Sequence, residues 1–303
     1  MGGLNVPARS KEQLFPAVSV LASRCLLFAL GLPKGRILLK SFVGGAIFGE
    51  VQPGTRDDEL WVLLHGWGRT MADFYSFANL VAKGSDTPWV VRFDLPGFGT
   101  SPAPELPSGS YEYAEIVGEA IGQAAGSMPH PSEVKVVVIG HSFGGRVALS
   151  LTSVGQNQFA LSAVLLSGVP LLRSPGASRK PKLTFRIARS MFKYRLISQS
   201  RMEALRVRYG SRDYALATGV MRNVLVKIVN EDYSELIRNL KVPVSLLWGQ
   251  DDTVAPVAVA ERAANLRPSL ISMKKMPGDH FLAVASPQVL LDEVIHLVQR
   301  TRD

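Results

Sequence analysis

Val134-Lys135-Val136-Val137-Val138-Ile139 runs into Gly140-His141-Ser142-Phe143-Gly144-Gly145, and this junction decides the fold. The apolar run suits a parallel strand buried on both faces. Residues 144–154 follow with helical spacing, so the serine stands in a sharp strand-to-helix turn. A side chain at 140 or 144 would crowd that turn, which is a physical reason for glycine at both positions. The helix behind it aims N–H groups and the positive end of its dipole at the place where a negative oxygen would develop. Ser142 is therefore the candidate nucleophile.

Outward from this junction, short runs at 60–64, 89–93, 163–166 and 242–248 are rich in Val, Leu and aromatics and read as strands, with 270–273 a weaker one. Residues 37–39 and 46–48 flank Gly44-Gly45 and read as a hairpin opening the sheet. Helix-length segments at 74–83, 111–127, 257–265 and 282–300 alternate with the strands. A hairpin followed by repeated β-α units predicts an α/β fold with a doubly wound, mostly parallel sheet. The rhythm breaks once. From Pro170 to Asn239 no strand pattern occurs, and helical spacing dominates. Ligands in open α/β sheets bind outside the carboxyl ends of the strands, so an insert there predicts a helical cap over the pocket.

A serine needs a general base within reach. Of the five histidines, His65 precedes Gly66 in a turn, His130 lies in a Pro-flanked loop, and His296 sits inside the last helix. His141 adjoins the nucleophile, with its side chain expected to point elsewhere. His280 follows Pro277-Gly278-Asp279 in a loop after the last strand, a placement that can aim an imidazole at the turn. His280 is the candidate base. Its acidic partner comes from Gly249-Gln250-Asp251-Asp252, after the 242–248 strand, where either carboxylate could serve.

With these residues in hand, the chain resembles the capped α/β-hydrolases, in their serine esterase-like branch, over about residues 35–303. Four motifs carry the likeness. Leu63-Leu64-His65-Gly66-Trp67-Gly68 is similar to the family's oxyanion turn, and Asp94-Leu95-Pro96-Gly97-Phe98-Gly99-Thr100-Ser101 to its strand-4 loop. The serine turn and the acid and base loops complete the set, in the family's chain order. The resemblance implies an α/β-hydrolase fold, with a mostly parallel eight-stranded sheet flanked by helices and a helical cap insert. It assigns the acid to Asp252, by the pattern Gly-x-x-Asp, and the oxyanion donors to the N–H groups of Trp67 and Phe143, which would also line the substrate pocket. His65 and Asp94 are expected to shape turns. The implied activity is hydrolysis of a small-molecule carboxylic ester through an acyl-enzyme, without cofactor or metal. Carbon–carbon bond hydrolysis, thioester or lactone hydrolysis on the same triad, and a non-catalytic binding scaffold are the alternatives.

Composition bounds the rest. The chain has 303 residues, 47% hydrophobic and 19% charged, which excludes disorder and fibrous classes. One cysteine, Cys25, excludes a disulfide framework and a cysteine-based zinc site, and permits a reducing, cytoplasmic compartment. The net charge is +9, and twelve bases against one acid, Glu203, fall between Arg173 and Arg212. Nucleic-acid signatures are absent from the sequence, so the basic segment suggests an anionic membrane surface or an acidic carrier protein as partner. If 181–197 is helical, Leu183, Ile187 and Met191 share a face beside a stripe of Lys182, Arg186, Arg189 and Lys193. Residues 14–32 are apolar but broken by Pro16 and Arg24. They read as a helix packed on the domain or lying at a membrane surface, with a true anchor and a cleaved signal as alternatives. The expected domains are an apolar helical extension at 1–34, a core at 35–169 and 240–303, and a basic helical cap at 170–239.

Overall fold

Apolar runs of strand length dictate the sheet. The computed structural model describes residues 38–154, 159–172, 191–192, 194, 196–209 and 212–302. The expected extension at 1–34 and the stripe of Lys182, Arg186, Arg189 and Lys193 lie outside the described residues. The strands are β1 (Leu38–Phe42), β2 (Ile47–Gln52), β3 (Glu59–Leu64), β4 (Trp89–Asp94), β5 (Lys135–His141), β6 (Ala160–Ser167), β7 (Val244–Gly249) and β8 (Ile271–Met276). They form one eight-stranded sheet in the order β1-β2-β4-β3-β5-β6-β7-β8. Only β1 with β2 and β2 with β4 pair antiparallel, and every other neighbouring pair is parallel.

Period-two side-chain geometry explains why both faces are covered. Leu60, Val62 and Leu64 of β3, with Val136 and Val138 of β5, enter one buried cluster. That cluster includes Tyr113, Val117 and Ile121 of α2 (Ser110–Gly126) and Val147 and Leu151 of α3 (Phe143–Val154). The alternate residues Trp61, Leu63, Val137 and Ile139 enter a second cluster on the other face. There they meet Phe77 and Val81 of α1 (Tyr75–Val81).

The chain leaves β3 for β4 on one side and returns to β5 on the other. Strand order therefore reverses between β3 and β5, and their carboxyl ends flank the crevice that such a switch point opens. Between β6 and β7 the described residues hold four helices and no strand. These are α4 (Gln199–Tyr209), α5 (Arg212–Leu216), α6 (Gly219–Ile228) and α7 (Ser234–Arg238). After β7 comes α8 (Val257–Ala264).

One expected element differs. The single helix read over 282–300 is two, α9 (Leu282–Ala285) and α10 (Pro287–Gln299). Pro287 disfavours helical geometry at the residue before it, and Ser286 adopts φ −125, ψ 71. Leu290, Val294 and Leu297 of α10 then join the second cluster. Among the described residues no helix is long and apolar enough to cross a membrane.

Glu59 ties the first core strand to the chain end. Its buried carboxylate accepts from Trp61 Nε1 at 2.5 Å and from Arg302 Nη2 at 3.0 Å, and Arg56 Nη2 lies 3.2 Å away. Glu59→Ala leaves the indole N–H and a largely buried guanidinium without this acceptor. The variant should lose about 2–3 kcal/mol, read as a lower urea midpoint at unchanged m value.

Candidate active site

Ser142 is one of two non-glycine residues among those described with positive φ, at 49°. Such a conformation costs about 1–3 kcal/mol and persists only where the surroundings over-determine it. Here they do. Ser142 N donates to Ser167 O at the end of β6 (2.9 Å), and Ser142 O accepts from Gly145 N (3.1 Å) and Arg146 N (3.2 Å). The flanking glycines are required by close approach. A Cβ on Gly144 would lie 2.2 Å from Leu64 O, and one on Gly140 would lie 2.5 Å from Gly145 Cα.

The acid and base loops are stitched together. Gln250 N donates to Met276 O (2.8 Å) and Asp251 N to Gly278 O (2.9 Å). Asp251 projects its side chain to solvent, whereas Asp252 is 4% exposed. Asp252 Oδ1 accepts from the N–H groups of Val254 and Ala255, both at 2.8 Å. Its Oδ2 lies 2.9 Å from His280 Nδ1. Burial opposes ionisation of this carboxyl, but the bonds from His280, Ala255 and Val254 outweigh it and hold its pKa below the ordinary value. An ionised carboxylate only accepts, so Nδ1 carries the proton and His280 Nε2 is left basic. The His280 ring packs over Gly168, where a Cβ would sit 3.0 Å from Cε1 and Nδ1. Gly168 follows Ser167, the acceptor of the Ser142 N–H, so the structure brings Ser142, His280 and Asp252 to one edge of the sheet.

His141 does not point elsewhere. Its ring centroid is 4.9 Å from that of His280 and 5.6 Å from that of Phe281, and His280 and Phe281 are 5.4 Å apart. Strand alternation would separate residues 141 and 142, but the turn begins at Ser142 and breaks the alternation. Burial first, and the adjacent His280 second, push the His141 pKa down to about 4. On the outer side, the Arg69 guanidinium lies 5.4 Å from the Phe281 ring centre, and its Nε is 2.9 Å from Asp73 Oδ2.

The turn after β3 is equally determined. His65 Nε2 accepts from Leu95 N (3.0 Å), so Nδ1 carries the hydrogen given to Gly66 O (2.8 Å). Burial holds this imidazole below its ordinary pKa. Asp94 Oδ1 accepts from Met71 N and Oδ2 from Thr100 N, each at 2.7 Å, which shapes the strand-4 loop. Gly144 N donates to His65 O at 3.0 Å, clamping the start of α3 against this turn. The N–H groups of Trp67 and Phe143 make no backbone bond among the described residues. Their rings stand 5.5 Å apart, with Phe98 5.0 Å from Trp67 and Tyr113 5.0 Å from Phe143. Sequence reasoning missed Phe98 and Tyr113 as ring partners; only Phe98 carried a signal, inside the strand-4 motif. Among the described residues no group of three His, Cys, Asp or Glu is placed to hold a metal ion.

Strand order and switch point together define an α/β-hydrolase fold. The family model described as the alpha/beta hydrolase family matches residues 61–293, and the chain belongs to that family. No curated protein sequence matches the chain. Among solved structures, a bacterial membrane phospholipase A is 18% identical over 93% of this chain and 92% of that one, with a TM-score of 0.59. A thermophilic esterase from Thermogutta terrifontis is 16% identical, covering 88% of this chain and 100% of that one, with a TM-score of 0.60. An esterase from Rhodococcus sp. is 21% identical, covering 87% and 98%, with a TM-score of 0.55. At these identities the likeness is one of fold.

Two buried histidines give the site a pH signature. His65 and His141 are held below 6.5, whereas the unfolded chain protonates them near that value. The unfolded state therefore binds more protons over a window from about 6.5 down to about 4, and stability falls as pH drops through it. Each such group contributes up to about 1.4 kcal/mol per pH unit. Denaturant midpoints should fall between about pH 7 and about pH 5, less steeply in His141→Asn. An unchanged slope in that variant would remove His141 from the account.

Proposed function

We propose that the chain is a serine hydrolase of carboxylic esters. The observation that carries this reading is the Asp252–His280 hydrogen bond of 2.9 Å, set beside a serine held at φ 49°. Ser142 Oγ attacks the ester carbonyl carbon while His280 Nε2 takes its proton. Asp252 stabilises the imidazolium. The carbonyl oxygen becomes an oxyanion that accepts from the N–H groups of Trp67 and Phe143, and the loss of one such donor costs on the order of 10²–10³ in rate. The intermediate collapses, the C–O bond breaks, and His280 protonates the departing alcohol. Water then adds to the acyl-serine with His280 as base, and the carboxylic acid leaves as Ser142 recovers its proton. The insert at 170–239 acts as the cap of this site. Esterases among the structural neighbours agree with an ester substrate.

Ser142→Ala should lower kcat for p-nitrophenyl acetate by about 10³-fold or more, with the thermal midpoint retained. Wild type should label covalently with a fluorophosphonate, and the variant should not. Asp252→Asn should be far more damaging than Asp251→Asn. Hydrolysis retained in Ser142→Ala would end the serine-hydrolase reading.

A second reading concerns where the substrate lies. Besides the basic residues between Arg173 and Arg212, the same segment exposes Tyr194 at 70% and Leu196 at 68%, with Leu216 close behind at 68%. Apolar side chains among clustered cations suit an anionic lipid surface, where each cation contributes about 1 kcal/mol. Sedimentation with phosphatidylserine vesicles should weaken from low to high salt and fall in Arg186→Gln/Arg189→Gln/Lys193→Gln. Equal binding to phosphatidylcholine vesicles, or none to either, would overturn this, the second result leaving an acidic protein as partner.

A further inference from the structure

Met221 stands in the first turn of α6, in the insert between β6 and β7, and reaches across to the strand-4 loop. Gly97 there has φ +89, and a Cβ on it would lie 2.3 Å from Met221 Sδ and 2.5 Å from its Cε. The thioether thus rests on bare glycine backbone. Tyr113 Oη, which donates to Pro96 O at 2.8 Å, is 3.9 Å from the same sulfur. Tyr113 meets the Phe143 ring and Phe98 the Trp67 ring, each at 5.0 Å, so side-chain contacts run from Met221 to the two residues whose N–H groups are proposed to hold the oxyanion. Tyr113 and Phe143 are buried, while Trp67, Phe98 and Met221 each keep part of their surface uncovered. An acyl group whose carbonyl oxygen sits at those N–H groups therefore extends over Trp67 and Phe98 toward the methionine.

The helix carrying Met221 is fastened to the helix behind the serine. Arg146 lies one turn after Ser142 in α3, and its buried guanidinium donates to Ile228 O at the carboxyl end of α6. That contact adds to the bond the same helix-end carbonyl accepts from Glu231 N (3.1 Å) and complements the negative end of the helix dipole. The same guanidinium carbon lies 5.7 Å from the centre of the Tyr233 ring. The Tyr233 hydroxyl donates to Glu231 Oε2 at 2.5 Å and lies 3.0 Å from Ser110 Oγ. Ser110 N donates to Glu231 Oε1 at 2.9 Å, and Ser150 Oγ to Ser110 Oγ at 2.9 Å. Lys227 of α6 pairs with Glu112 of α2. The Lys227–Glu112 pair is half-exposed, but Arg146, Tyr233, Ser110 and Ser150 are buried and fix geometry, because any displacement would strand desolvated groups.

We propose that Met221 is the specificity-determining residue of the site, an end wall that limits the length of an apolar acyl chain. This rests on the ester-hydrolase reading. A thioether adapts its shape to an apolar ligand yet blocks further length. One methylene more or less against such a wall changes relative rates about 10–200-fold.

The test is the ratio of kcat/KM for p-nitrophenyl octanoate to that for p-nitrophenyl acetate. Met221→Ala should raise the ratio about tenfold or more, Met221→Trp should lower it, and Met221→Leu should keep it within about threefold of wild type. Opposite signs from the smaller and larger side chains separate a wall from a packing defect, which would depress both substrates alike. Ratios that match wild type in Met221→Ala and Met221→Trp would overturn the proposal while leaving the esterase intact. Failure of wild-type protein to label with a fluorophosphonate or to hydrolyse either ester would instead overturn the esterase reading, and this proposal with it.

Discussion

The site depends on one close backbone approach, that of Gly144 to the end of β3. A Cβ there would lie 2.2 Å from Leu64 O, 2.4 Å from its carbonyl carbon and 2.6 Å from His65 O. Only a residue without a side chain lets α3 begin this near to the neighbouring parallel strand. Contact between the two then yields the Gly144 N to His65 O bond, which fixes the helix start against the turn that follows β3. Several consequences are geometric. Ser142 takes the left-handed region, its carbonyl accepts from Gly145 N and Arg146 N, and the Trp67 and Phe143 rings meet at 5.5 Å across the junction. A larger residue at 144 would separate β5 from β3 at the switch point and lose all three together.

Charge around that edge is held by fixed partners. Asp252 spends both carboxylate oxygens on three donors and is held ionised. His65 is neutral, with both ring nitrogens in use, and His141 is neutral by burial. Arg69, the nearest cation to the Phe281 ring, is neutralised by Asp73. The His280 ring therefore has a fixed anion on one side and uncharged rings on the other. Had His141 been protonated at 4.9 Å, two cations would oppose each other in a desolvated site.

What the sequence disclosed follows from range. Ser142 and the strand–turn–helix around it are a local pattern, and His280 was reachable because a loop histidine after the last strand has few other uses. The choice of Asp252 over Asp251 came only from family resemblance. In the fold, the turn closes when Val254 and Ala255 donate to Asp252 Oδ1, which turns that side chain inward. The direction of His141 is not legible from sequence, because the turn at Ser142 ends the strand alternation beside it. The break at Pro287 lies inside an otherwise apolar periodic run, which masks it. Phe98 and Tyr113 are near each other in the chain, one on a loop and one in a helix, but Met221 lies 108 residues beyond Tyr113, and only the fold brings it to them.

Their meeting bears on how selectivity and chemistry are divided. Arg146 stands in α3, which starts at the residue after Ser142, so the serine turn and the insert helix that bears Met221 are both tied to that helix. Reaction geometry tolerates little error, since misplacement by about 1 Å can cost about 10² in rate. Met221 shares no hydrogen bond with Ser142, His280 or Asp252 among the described residues, so the proposed acyl wall stands apart from the Asp252–His280 bond. On that proposal, selectivity and cleavage are separable, because the Arg146 contact ties the wall to α3 without making either depend on the other's contacts.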